Sequence, residues 1–103
     1  MHPRFIKWQK GAPPSENEAE ALLREEGYQV FRWTDVPGSK YPKHQHAMEE
    51  CIWILSGKIV FNIDGTDYSM EPGDRLYLPA KMPHTASVPE AHGTTYLVGQ
   101  RRS

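Results

Sequence analysis

Four residues suited to a mononuclear metal centre fall in one stretch of this chain. The run reads Gly38-x5-His44-x-His46-x3-Glu50-x6-Gly57, and Gly73-x5-Pro79-x4-His84 follows downstream. Imidazole nitrogen and carboxylate oxygen together suit divalent first-row metals of borderline hardness. In an extended strand, residues two apart share a face. His44 and His46 therefore project the same way if one strand carries both. Glu50 keeps that parity, and the adjacent Glu49 does not. His84 belongs to a later run and can close the site from across a sheet. Any one of these histidines alone reads as a satisfied core residue, so the set carries the inference. A structural Glu50 would need a cationic partner inside the fold, and parity offers none nearby.

The elements that must position these residues are short. Residues 1–14 form an arm with apolar Phe5, Ile6 and Trp8, ending in Ala12-Pro13-Pro14. Residues 15–27 predict a short helix: Ser15 and Glu18 make a capping box, and Gly27 fits the position just past the end. From residue 28 to 99, β-branched and aromatic runs alternate with Gly, Pro and Asp turns. These runs are 28–34, 41–47, 51–55, 58–63, 66–70, 75–78, 84–88 and 94–98. Asp64-Gly65 between two of them is a two-residue hairpin signal. Short strands at this spacing predict an all-β sandwich or closed barrel. Parity turns Ile59, Phe61, Ile63, Leu76 and Leu78 inward. The run 51–55 is apolar on both faces, so something must cover Cys51, Trp53 and Leu55.

Bulk properties exclude several classes. At 103 residues the chain is one domain. Twelve Lys and Arg against thirteen Asp and Glu give a formal charge of −1. That balance offers no basic field for a nucleic-acid backbone and no polybasic stripe for a membrane. Arg101-Arg102 reads as a solvated end. The single cysteine, Cys51, excludes an internal disulfide and reads as a small buried hydrophobe. No apolar stretch is long enough to span a membrane, and residues 1–8 lack a secretory core, so a cytoplasmic location is expected.

The spacings from Gly38 to His84 resemble the two motifs of the cupin superfamily, small RmlC-like barrels. The resemblance implies an all-β double-stranded β-helix, or jelly roll. It also implies that His44, His46 and Glu50 of the first motif, with His84 of the second, hold one divalent metal ion. Iron, manganese, zinc, nickel and copper all fit those donors. Two positions depart from the pattern: Lys81 stands where glycine is common, and Val88 where asparagine often follows. Lys81 predicts an altered turn before His84, because glycine alone adopts positive φ without steric cost.

Three histidines and a carboxylate leave two adjacent positions open on a six-coordinate ion, enough for a bidentate oxygen ligand. The expected function is a small metal-dependent enzyme of dioxygenase, isomerase or lyase type, acting on a small oxygenated molecule. The alternative is a non-catalytic metallo-barrel that binds or senses a small ligand. No helix-turn-helix or basic region accompanies the barrel, and parity places no second carboxylate or lysine in the pocket as a general base. Met48 shares the ligand parity and either lines the pocket or fills core. Gln45 points away, Glu49 is a solvated or supporting carboxylate, and His2 and His92 are assigned no role. A homodimer is expected. Two barrels would bury the row Cys51, Trp53 and Leu55, with each arm crossing to its neighbour.

Overall fold

The computed structural model describes residues 2–9 and 11–102; Met1 and Lys10 of the arm, and Ser103, lie outside the described residues. In chain order the elements are β1 (Arg4–Ile6), α1 (Glu16–Glu25), β2 (Gln29–Asp35), β3 (Lys40–His44) and β4 (Glu49–Gly57). They continue with β5 (Ile59–Ile63), β6 (Thr66–Met70), β7 (Arg75–Leu78), β8 (His84–Ser87) and β9 (Thr94–Arg101). Two antiparallel sheets result, ordered β1-β7-β4-β9-β2 and β3-β8-β5-β6, which face each other as a jelly roll.

Alternation explains the interior. Ile59, Phe61 and Ile63 are buried while Val60 and Asn62 between them are less so, and Leu76 and Leu78 are buried on β7. They meet Ile52 and Ile54 of β4 in the core between the sheets. Asp64 and Gly65 both take positive φ, as a two-residue turn matching strand twist requires. Gly57 ends β4 at φ +78, and an added Cβ there would lie 2.0 Å from the Gly93 carbonyl oxygen.

The other face of β4 builds a second core. Cys51, Trp53 and Leu97 pack under Ala19 and Leu23 of α1, with Tyr28 at the helix end. The Arg75 guanidinium adds a lid 4.5 Å over the Trp53 ring. The helix starts on the expected capping box, Ser15 accepting from the Glu18 N–H and Glu18 from the Ser15 N–H. It stops where the Gly27 N–H donates to the Arg24 carbonyl and the Tyr28 N–H to the Leu23 carbonyl, a Schellman arrangement. No helix among the described residues is long and apolar enough to cross a membrane.

Several expectations need correction. The run 41–47 leaves the sheet at His44, so residues 45–48 are not strand, and the last strand continues past 99 to Arg101. The arm is part of the barrel: β1 pairs with β7 of its own chain, Phe5 opposite Leu76. Beyond it, the buried Asp74 carboxylate accepts the Trp8 N–H at 2.8 Å and the Lys7 ammonium at 3.1 Å. The row that called for a dimer is covered from within, since Trp53 is 1% exposed and Cys51 fully buried. Leu55, the third residue of the row, is only partly buried. Within the chain the arm pairs with β7, and the homodimer expectation rests on the resemblance alone.

Trp53→Glu should therefore unfold the chain, costing more than ~4 kcal/mol for a charge placed in a core. Urea titration followed by circular dichroism, with light scattering at each point, checks this; a folded variant of lower mass would show an interface instead. Gly57→Ala should cost about 3 kcal/mol or more in the same titration, because a carbonyl oxygen occupies the new methyl's place. Burial pushes the Cys51 thiol up to about 12. A chromogenic disulfide reagent should accordingly label Cys51 no faster than the chain unfolds.

Candidate metal centre

The site begins with a strand that breaks its own alternation. On β3 and β8, Tyr41 pairs with Ala86 and His44 with His84, so three residues on one strand span two on the other. The extra residue lies within Pro42-Lys43, and it re-aims the side chains after it, as a β-bulge does. Regular alternation would send Tyr41 and His44 to opposite faces. The bulge brings both into the cavity, beside His84 and Ala86.

His46 comes next, in the irregular segment after β3, and turns back over the same space. One ring nitrogen from each of His44, His46 and His84 can be chosen so that all lie within 4.8 Å of one another. His44 Nδ1 lies 2.7 Å from the Pro42 carbonyl, and His84 Nδ1 lies 3.0 Å from the Met82 carbonyl. A carbonyl only accepts, so both Nδ1 atoms carry the proton, and in the neutral ring Nε2 is left with a lone pair for a cation. Burial first, and then the neighbouring His44 and His46, hold the His84 pKa below its ordinary 6.5, although the Met82 contact works the other way. The three imidazoles could hold a metal ion.

Glu50 reaches this group from the opposite sheet. It sits on β4 beside Gln100 of β9 and is 4% exposed. One carboxylate oxygen lies 3.6 Å from His46 Nε2, and the other accepts the Gln100 amide at 2.8 Å. The missing cationic partner is thus replaced by a neutral donor. The shared parity of His44, His46 and Glu50 has no structural meaning, since the bulge and an irregular segment separate them; the structure groups His44 and His46 with His84, and Glu50 approaches His46 from the facing sheet. Glu49 points outward and pairs with Arg101 at 2.9 Å. Gln45, His2 and His92 are exposed, and Met48 is half-buried away from the cavity lining.

The cavity measures about 350 Å³. The histidines and Glu50 mark its polar end, Phe61 and Val98 stand among its apolar walls, and Phe31 and Trp33 of β2 flank it. Sequence reasoning missed a second carboxylate beside it. Asp35, 6% exposed, accepts from Tyr96 Oη at 2.6 Å, from Trp33 Nε1 at 3.0 Å and from Tyr41 Oη. Burial first, and then Asp35, raise the Tyr96 phenol above its usual range, so it remains a donor. The signal was alternation: Phe31, Trp33 and Asp35 share one face, but the expected strand stopped at residue 34.

The turn before His84 also departs from expectation. Lys81 takes φ +63, the left-handed conformation that glycine would have supplied. Its N–H donates to the His46 carbonyl at 2.7 Å, fastening this turn to the segment that carries a candidate ligand. The backbone is therefore kept and the side chain bears the strain.

A family model described as a cupin domain matches residues 31–98. An uncharacterized protein of Methanocaldococcus jannaschii is 38% identical over 48 residues, which are 46% of this chain and 38% of that protein. Among solved structures, a chain from the DMSP lyases RdDddP and RnDddQII superposes with TM-score 0.67 at 28% identity, covering 74% of this chain and 39% of the other. The polyketide cyclase RemF from Streptomyces resistomycificus superposes with TM-score 0.64 at 21% identity, covering 71% and 54%. This chain thus spans well under two thirds of each of these relatives.

The strained turn and the buried imidazole each have a measurable consequence. Lys81→Gly should raise stability by roughly 0.5 kcal/mol, the relief of left-handed strain exceeding the entropy glycine adds to the unfolded chain. A destabilised variant in urea titration would contradict it. A group whose folded pKa is depressed contributes stability above its unfolded pKa and loses it as pH falls. Chelator-treated protein should thus lose stability as pH drops below about 6.5, the unfolded value for His84. The loss should shrink in His84→Gln, as urea midpoints at pH 7.5 and 5.5 would reveal.

Proposed function

The chain belongs to the cupin domain family, and from that premise we propose that it is a metal-dependent enzyme acting on a small oxygenated organic molecule. His44, His46, Glu50 and His84 hold one divalent transition metal ion in this reading. The observation that carries it is the convergence of three imidazoles, two of them with Nε2 freed by a backbone hydrogen bond, at a solvent-reached cavity. Such donors suit iron, manganese, zinc, nickel or copper. Bound there, an ion supplies Lewis acidity for a carbonyl, or a meeting place for dioxygen and substrate.

The chain's own residues set what can react. Gln100 fixes Glu50, and the apolar walls at Phe61 and Val98 exclude water from the bound substrate. No Lys or Arg lines the cavity, so nothing there neutralises a phosphate. A hydroxy acid, keto acid, diketone or catechol fits better than a phosphorylated sugar. Relatives that are a lyase and a cyclase share this fold, so the fold does not choose the reaction. One observation favours the non-catalytic alternative, a metallo-barrel that binds or senses a ligand: Tyr41 and Tyr96 spend their hydroxyl protons on Asp35, leaving no idle acid.

Elemental analysis after expression in iron-replete and manganese-replete media should find one ion per chain. His46→Ala and His84→Ala should lose most of it, while His92→Ala and Glu49→Gln keep it. Full occupancy in His84→Ala would overturn the assignment. Turnover of hydroxy acids, dicarbonyls or catechols by the loaded protein supports the enzyme; uniform inactivity with saturable binding of one compound supports the sensor.

A further inference from the structure

Phe31 and Trp33 are on the cavity-facing side of β2, yet they are 48% and 51% exposed. Large aromatics that face a cavity and remain wet are surfaces for something to cover. Next to them on the same face is Asp35, a buried carboxylate whose three donors, Trp33, Tyr41 and Tyr96, are all neutral. Among the described residues no ion pair involves Asp35.

The charge of Asp35 is therefore distributed through hydrogen bonds but not cancelled. Polar edges of three rings are gathered on it, and the tyrosine hydroxyls, which donate to it, keep lone pairs, one of Tyr41's accepting from Trp33 Nε1 at 3.2 Å. Phe31, Trp33, Tyr41 and Tyr96 all line the cavity, which holds no Lys or Arg. Negative potential from a carboxylate and electron-rich ring faces act in the same direction, and both attract a cation.

We infer that this end of the cavity is a cation subsite, which takes the ammonium or other onium group of a ligand whose oxygen end lies toward the three histidines. The cationic head lies against Trp33 and Phe31, near Asp35. Primary amines would add hydrogen bonds to the tyrosine oxygens, and methylated ones would rely on the ring faces. Only the oxygen end depends on the metal reading; the cation subsite depends on β2, Tyr41 and Tyr96.

Glycine betaine and 3,3-dimethylbutanoate test this directly, for they share shape and carboxylate and differ by one positive charge. Calorimetric titration of the zinc-loaded chain should give betaine at least ~10-fold tighter binding. Asp35→Asn should bring the ratio to within about twofold, and Trp33→Leu should lower it at least ~3-fold. Because Trp33 is half exposed, the second variant tests the proposal even if Asp35→Asn does not fold. Equal binding of the two probes, no binding of either, or a ratio unchanged in Trp33→Leu would overturn it. Tetramethylammonium has no oxygen for a metal and reports the subsite alone. If it binds loaded and chelator-treated protein alike while zinc adds nothing for betaine, the metal reading fails and the subsite stands. If zinc strengthens both carboxylates equally and tetramethylammonium does not bind, the subsite fails and the metal reading stands.

Discussion

Backbone hydrogen bonds from His44 Nδ1 to Pro42 and from His84 Nδ1 to Met82 turn two imidazoles so that the same nitrogen of each faces the cavity. That match depends on the bulge at Pro42-Lys43, which sets His44 opposite His84. Without the extra residue, either Tyr41 or His44 would leave the interior. The Asp35 cluster would lose a donor in the first case, and the candidate metal centre a ligand in the second. One local irregularity thus fixes the two chemically distinct ends of the cavity relative to each other. Proline suits this place, because a bulge leaves backbone groups out of the ladder and proline has no N–H to leave unpaired.

β4 carries the opposite wall and divides the molecule. Its inner side presents Glu50, Ile52 and Ile54, and its outer side gives Cys51 and Trp53 to the helix. Both cores therefore press on one strand, paired on both edges by β7 and β9. A carboxylate held by such a strand has little freedom to swing, and Gln100 removes more of it. Rigid support of this kind keeps a donor set aligned without the ligand doing the ordering.

Local signals were legible in the sequence because local chemistry enforces them. Ser15 and Glu18 satisfy helix-end amides, Asp64-Gly65 matches strand twist, and Ile59, Phe61 and Ile63 show period two. The cluster of His44, His46 and His84 was legible for another reason, since few roles bring three histidines together at such spacings. Parity failed where the strand was interrupted: it presumed continuity from His44 to Glu50, and the bulge and the 45–48 segment broke it. Lys81 misled because strain is a cost a fold can bear when surrounding bonds, here to the His46 carbonyl, hold the turn. Asp35 was hidden because its partners come from β2, β3 and β9, and no short window contains Tyr41 and Tyr96 together. Coverage of Trp53 by the helix is likewise a question of three-dimensional placement, which composition cannot answer.

β2 is the last strand of its sheet and is bonded to β9 alone. Its two wet aromatics sit where a side chain has few neighbours to disturb, while Glu50 and His84 are buried on β4 and β8, strands paired on both edges. Changes at positions 31 and 33 would therefore cost little folding energy, whereas changes at 50 or 84 would disturb packed surroundings. Such a division separates what the molecule can vary from what it must keep. A lineage could exchange one ligand for another by altering the border of the opening, with the inner chemistry inherited intact.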